Sequence, residues 1–324
     1  MSNVWHVTSL AFAHNNMVNT MSTTFGTILN DMKTSAKLAW KSMLSYFLAN
    51  LGMLIVMVIL AGIILIPIAL VAWALLAPLS EVQMTALAQW AYANPLVIGG
   101  LGVLILIPIA SLFMVVSGSI YGMSHDLVTK GETKAELAFS YFRHKFLSFA
   151  GAGAILTIIV VLPPVLAWGL TSYAMGYTIT APTNYLLTVF SFVWVYLTAG
   201  LTSLVWPAVV SGKGVQAAFK ESFSLSRQYF DRVYGVLTAI VLLIAITLGP
   251  MIVAGVAIAL TLPPVTVTSA FFPILAGVGL YTVVMVFLWL LLFLPMVRIA
   301  WVRVYQELTG GEIATQSVVD MPIV

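Results

Sequence analysis

The sequence predicts an all-α, polytopic integral membrane protein with six transmembrane helices arranged as three hairpins. Three observations predict it. The chain of 324 residues is 61% hydrophobic and 7% charged, with a mean hydropathy of +1.08, whereas soluble domains carry roughly 25% charged residues. Between Leu44 and Val304 it divides into six long apolar stretches. All thirteen Lys and Arg residues avoid the loops joining stretches one to two, three to four and five to six.

A hydrocarbon core of about 30 Å takes about 20 apolar residues in a helix. Spans are accordingly expected near 44–77, 95–121, 146–170, 184–210, 234–262 and 270–304. The first and last exceed the minimum, so they are expected to tilt or to project from the bilayer. Trp73, Trp90, Tyr92, Trp168, Tyr173 and Tyr177 fall toward one interface, and Trp40, Tyr46, Tyr121, Tyr141, Tyr234, Trp301 and Tyr305 toward the other, as aromatic belts do.

The basic residues fix the orientation. Lys33, Lys37 and Lys41 precede the first span; Lys130, Lys134, Arg143 and Lys145 lie between the second and third; Lys213, Lys220, Arg227 and Arg232 lie between the fourth and fifth; Arg298 and Arg303 close the sixth. Cations are retained on the cytoplasmic side during insertion, so both termini are expected in the cytoplasm of a cell bounded by this plasma (inner) membrane. The net charge of +3 then reflects a membrane-facing collar, and no nucleic-acid partner is expected. Zero cysteines exclude disulfides, thiolate metal sites and Cys nucleophiles.

Each hairpin is expected to follow an amphipathic helix lying on the cytoplasmic face. In the first, Phe25, Ile28, Leu29, Met32, Ala36, Ala39, Trp40 and Met43 repeat at helical spacing, with Lys33, Lys37 and Lys41 as a stripe beside them. In the second, Ala135, Ala138, Phe139, Phe142 and Phe146 form the apolar face, and Thr133 with Glu136 fits a capping box. In the third, Val215, Phe219 and Phe223 recur every four residues while Lys213, Lys220 and Arg227 recur every seven. Such helices lie in the headgroup layer, or else pack on the bundle as connectors.

An internal repeat supports the same division. Ala36-Lys37-Leu38-Ala39-Trp40 aligns with Ala135-Glu136-Leu137-Ala138-Phe139 at an offset of 99, which also superposes Phe47-Leu48 on Phe146-Leu147 and Gly52 on Gly151. A third copy reads Ala217-Ala218-Phe219, then Tyr229-Phe230 and Gly235. The expected organisation is an N-terminal segment 1–21 of little order, a membrane domain 22–306 with units near 24–121, 132–210 and 213–304, and a tail 307–324.

Every span contains proline: Pro67, Pro108, Pro163 with Pro164, Pro207, Pro250 and Pro295. Each removes a backbone donor and frees a carbonyl that a neighbour must satisfy. Pro67, Pro108, Pro207 and Pro250 read either as hinges around a cavity or as kinks that nest. The small-residue groups at Gly99-Gly100-Leu101-Gly102, Ala150 to Ala154 and Ala276 to Gly279 read as close helix packing.

The segment Gly214 to Ser226, with Ser222-Phe223 and Leu225-Ser226 followed by Phe230 and Gly235, resembles the six-helix membrane region of certain glycerophosphodiester phosphodiesterases and related stand-alone prokaryotic membrane proteins. The resemblance extends over the hairpin arrangement from about Thr24 to Tyr305. It implies a fold rather than an activity, because no phosphodiesterase domain accompanies these residues.

Catalytic patterns are missing. His6, His14, His125 and His144 show no metal-ligand spacing, and neither His-Glu-x-x-His nor Gly-x-Ser-x-Gly occurs. No metal or organic cofactor is expected. No ionisable residue falls in the central part of any span, which argues against proton relays and charged selectivity rings. The fourth span holds the richest polar set, Tyr196, Thr198, Thr202 and Ser203, readable as a cleft lining or as interhelical hydrogen bonds. The expected function is therefore a non-enzymatic scaffold, accessory subunit or lipid-homeostasis factor. Lys33, Lys37, Lys41, Lys213, Lys220 and Arg227 would contact anionic lipid, a protein partner or a second copy. The alternative is a transporter or pore for a neutral or hydrophobic solute, with proline-hinged helices around the Tyr196 cleft.

Overall fold

The computed structural model describes residues 25–261 and 272–314. The expected N-terminal segment 1–21 and most of the expected tail lie outside the described residues. Among the described residues every regular element is helical, as apolar backbone in lipid requires. In chain order they are α1 (Phe25–Lys41), α2 (Met43–Leu76), α3 (Glu81–Ala93), α4 (Pro95–Lys130), α5 (Ala135–Leu156), α6 (Leu162–Ala174), α7 (Ala181–Thr202), α8 (Val205–Val210), α9 (Val215–Gln228), α10 (Phe230–Thr261), α11 (Phe272–Leu288) and α12 (Leu294–Thr309). Six stretches are long and apolar enough to cross a membrane: Met43–Leu76, Pro95–Lys130, Ala135–Ala174, Ala181–Val210, Phe230–Val256 and Ala276–Thr309.

Several boundaries differ from the sequence reading. The loop after the first span contains a helix, α3, started by a capping box between Ser80 and Gln83. The second span runs on to Lys130 and stops where Gly131 takes a left-handed conformation with φ 80°. The sixth continues to Thr309 rather than 304, and the chain beyond it is anchored, because Ala314 N donates to Val128 O at 3.0 Å. The amphipathic stretch of the second unit is continuous with its span. Only Lys145 departs from helical geometry there (φ −120°, ψ 16°). Similar backbone angles join α1 to α2 at Ser42 (φ −105°, ψ 17°) and α9 to α10 at Tyr229 (φ −115°, ψ 46°).

Prolines interrupt two spans with π-helical turns. Thr157–Val161 precedes Pro163 and Pro164, and Trp289–Phe293 precedes Pro295. The fourth span breaks outright between Thr202 and Val205, just ahead of Pro207. Pro67, Pro108 and Pro250 leave their helices continuous.

The three units close into a ring. The three glycines of the repeat each face a helix of the following unit. A Cβ at Gly52 would stand 2.5 Å from Phe139 Cζ of the second unit. One at Gly151 would lie 3.8 Å from Val215 Cγ2 of the third, and one at Gly235 would collide with Ile28 Cδ1 of the first. Consistently, α1 packs on α10 and α12, α5 packs on α4 and α2, and α9 packs on α7 and α8. Each basic helix thus bridges its own unit to the preceding one.

The core gathers at one end of the bundle. Tyr46, Met53, Val115, Met123, Phe149, Leu204, Val209, Val236, Ile299 and Tyr305 are all buried there. Phe149 and Tyr121 pack against Trp206 with ring centroids 5.9 and 6.4 Å away. From Leu65 to Pro78 every side chain is exposed, as is most of α3. The basic ends of all six spans share the packed end, and the far ends are more loosely packed and expose apolar surface.

Candidate functional site

α1 presents three adjoining strips, and the sequence pattern explains each. Ile28, Asp31, Ser35, Leu38 and Ala39 turn toward the bundle. Phe25, Leu29 and Trp40 stand 76%, 58% and 65% exposed although strongly apolar. Lys33, Lys37 and Lys41 occupy the exposed strip next to them. The apolar positions read from sequence as one face are therefore divided, and the buried face is partly polar.

α9 carries the second basic group. Its apolar side, with Ala218 and Phe219, is buried against the bundle. Lys220 and Arg227 border an open groove of about 660 Å³ floored by Phe219 and Phe223. Lys213 lies apart from them in an ion pair with Glu221 at 3.4 Å. The six basic residues thus form one group on α1 (Lys33, Lys37, Lys41) and a pair on α9 (Lys220, Arg227), with Lys213 ahead of α9 held by Glu221.

Other cations serve the packing, which composition alone did not reveal. Lys145 Nζ donates to the carbonyls of Val209 and Val210 at 2.7 and 2.8 Å, closing the C-terminal end of α8. Arg232 is buried and reaches Asp31 of α1 and Glu307 of α12, both at 2.6 Å. Arg303 joins the same cluster through Glu307 at 3.6 Å. Burial pushes the Asp31 carboxyl up to about 6, with Glu307 adding to the rise and Arg232 and Arg303 opposing it. Desolvation outweighs the ion pair here because a second carboxylate shares the same arginine. Arg298 is buried within α12, and its Nη1 donates to Asn50 Oδ1 of α2 at 3.1 Å. Its position in the sequence indicates only the end of a span.

The polar residues of the fourth span are engaged within the fold. Thr198 Oγ1 donates to Trp194 O, Thr202 Oγ1 to Thr198 O and Ser203 Oγ to Gly200 O, at 2.7, 2.7 and 2.9 Å. Tyr196 Oη meets Thr238 Oγ1 of α10 at 2.8 Å. These four residues border neither the groove beside Lys220 nor the cavities beside Gly99, Asn50 and Ala88. Of the candidate hinges, Pro207 is buried beside the break, whereas Pro67, Pro108 and Pro250 are exposed.

The broken fourth span explains the serine motif of α9. Ser222 Oγ donates to Leu201 O at 2.7 Å and Ser226 Oγ to Gly200 O at 3.1 Å. These carbonyls lie in the last turn of α7, where Gly200 O also receives Ser203 N and Oγ, so Ser222 and Ser226 of α9 tie the end of α7 to the following unit.

The glycine clusters separate into two kinds. Gly153 approaches Met114, with a Cβ there only 2.5 Å from Met114 Cβ. Gly99, Gly100 and Gly102 meet nothing within 4 Å, and Gly99, Gly100 and Gly169 instead line an apolar cavity of about 530 Å³.

No cluster of metal-ligating side chains occurs among the described residues. His125 contacts Asp126 at 3.6 Å, and His144 Nδ1 faces Ser140 O at 2.8 Å. His6 and His14 lie outside the described residues. Asp126 also receives Lys130 at 3.2 Å and the Tyr141 hydroxyl at 3.1 Å, which makes it a tie between α4 and α5. No family model, curated protein or solved structure matches this chain.

Proposed function

We propose that the chain is a non-enzymatic, multi-pass protein of the plasma (inner) membrane, with both termini in the cytoplasm. It acts as a scaffold, accessory subunit or lipid-homeostasis factor that holds anionic lipid, or a partner bearing the same charge, against its basic face. The observation that carries this reading is the build of α1. Phe25, Leu29 and Trp40 are exposed and apolar beside exposed Lys33, Lys37 and Lys41, while the third strip is fixed to the bundle. A helix in that setting dips its aromatic strip among acyl chains and holds its lysines at the phosphates. Each lysine near an anionic surface contributes about 1 kcal/mol. On α9, Lys220 and Arg227 border a groove with the half-buried Phe223 and the buried Phe219.

The test neutralises Lys33, Lys37, Lys41, Lys213, Lys220 and Arg227 together and compares lipids and subunits recovered in mild detergent by native mass spectrometry. The reading expects depletion of anionic lipid or loss of a partner, and an unchanged profile would overturn it. Orientation is tested separately by tags after Pro78 and after Gly214, which are expected to report from opposite compartments.

A further inference from the structure

We propose that Arg298 forms a specific site, inside the membrane-spanning bundle, for the phosphate of one anionic phospholipid drawn from the leaflet on the basic side of the protein. The inference rests on the six-span reading and is independent of the α1 and α9 surface.

Arg298 stands eleven residues before α12 ends at Thr309 and is only 9% exposed. Among the described residues no carboxylate lies within salt-bridge distance of it. The ionisable groups acting on it are the phenols of Tyr46 and Tyr121, which carry no charge at neutral pH. A guanidinium so placed is costly unless an anion joins it, and intramembrane charges ordinarily mark functional positions.

The geometry around the guanidinium is set by the backbone. Leu290 O lies five residues before Pro295, which has no N–H to give to the π-helical turn. Asn50 Nδ2 donates to that carbonyl at 3.1 Å, and Asn50 Oδ1 accepts from Arg298 Nη1 at 3.1 Å. The amide thereby turns one edge of the guanidinium inward. The other edge, Nε and Nη2, makes no hydrogen bond among the described residues, and neither atom is sealed from the surface. That edge is the two-pronged donor that fits a phosphate.

A cavity of about 180 Å³ lies beside Arg298, and it is lined mainly by apolar residues, among them Leu54, Met57 and Phe113. Its two polar members are Asn50 and Arg298. The combination suits a single anionic head with an acyl chain leaving along Leu54 and Phe113. A soluble anion would gain nothing from those apolar walls.

The experiment delipidates the full-length protein in mild detergent, returns it to mixed zwitterionic and anionic phospholipid, and counts retained lipids by native mass spectrometry. Wild type is expected to keep one anionic phospholipid after the rest are stripped. Arg298→Gln should weaken that retention roughly ten- to a hundredfold, the range of a charge-assisted hydrogen bond, and Arg298→Lys should weaken it less. Leu54→Trp, which fills the cavity and leaves the guanidinium in place, should also expel the lipid, and it serves where Arg298→Gln fails to fold. The six-residue neutralised collar variant should keep this one lipid, which separates failure of the collar from failure of this site. The proposal is overturned if wild type retains no stoichiometric anionic lipid, if Leu54→Trp retains it fully, or if inorganic phosphate displaces it.

Discussion

The indole N–H of Trp194, in the fourth span, donates to the carbonyl of Ile159 in the third at 2.9 Å. Ile159 lies four residues before Pro163 and five before Pro164, so neither the α-helical nor the π-helical donor for that carbonyl exists. A side chain from the next helix supplies what proline removed, inside a medium with no water to do so. Asn50 performs the same service for Leu290.

Trp194→Phe keeps an aromatic side chain, though a smaller one, and deletes the donor. It is expected to lower stability by about 1–2 kcal/mol, read as a lower unfolding temperature in detergent. Equal unfolding of wild type and variant would show that the carbonyl tolerates isolation.

Ser222→Ala removes the hydroxyl donor to Leu201 O, and Ser226→Ala removes the donor that α9 gives to Gly200 O beside those of Ser203. Each is expected to cost about 1 kcal/mol, and the pair should be non-additive because both hydroxyls serve one helix end. A double-mutant cycle on thermal stability decides it; strict additivity would mean that the two caps act separately.

Glycines in two different spans, Gly200 of α7 and Gly100 of α4, should respond oppositely to one methyl group. At Gly200 an added Cβ collides with the Tyr234 ring, and Gly200→Ala is expected to destabilise by about 1–3 kcal/mol. At Gly100 nothing lies within 4 Å, so Gly100→Ala is expected to be neutral or stabilising by up to about 1 kcal/mol through helix propensity. Comparing the two unfolding temperatures checks both.

Asp31 gives stability a pH dependence of defined sign. Its carboxyl titrates near 3.8 in the unfolded chain and at about 6 in the fold. Across that window the folded chain holds a proton that the unfolded chain has lost, so this group's contribution falls as pH rises. Wild type is therefore expected to lose stability relative to Asp31→Asn between 3.8 and about 6, with no further divergence above. A pH series of unfolding temperatures on both proteins measures it; parallel curves would refute the shift.

The spans were legible because burying a bilayer-length helix demands an unbroken apolar run, and composition records that directly. The placement of the cations was less legible. Lys33 and Arg232 look alike in sequence, yet one faces outward and the other is buried between Asp31 and Glu307. That distinction depends on which side of α1 meets α10, a tertiary relation that local periodicity does not encode. The same holds for Gly100 and Gly153, whose clusters read alike although only one touches a neighbouring helix. Pro207 signalled a disturbed fourth span, but the serines that repair it sit about 20 residues later, beyond any helical repeat. Arg298 was misleading for a different reason: its distance along the chain from the last span's end conceals that Asn50 draws it inward.

With a dense root at the basic end and looser contacts at the opposite tips, the six helices are held chiefly from one side. Their tilt is then governed by the thickness of the surrounding hydrocarbon, so a thinner or thicker bilayer would lever the tips and load the ring at Gly52, Gly151 and Gly235.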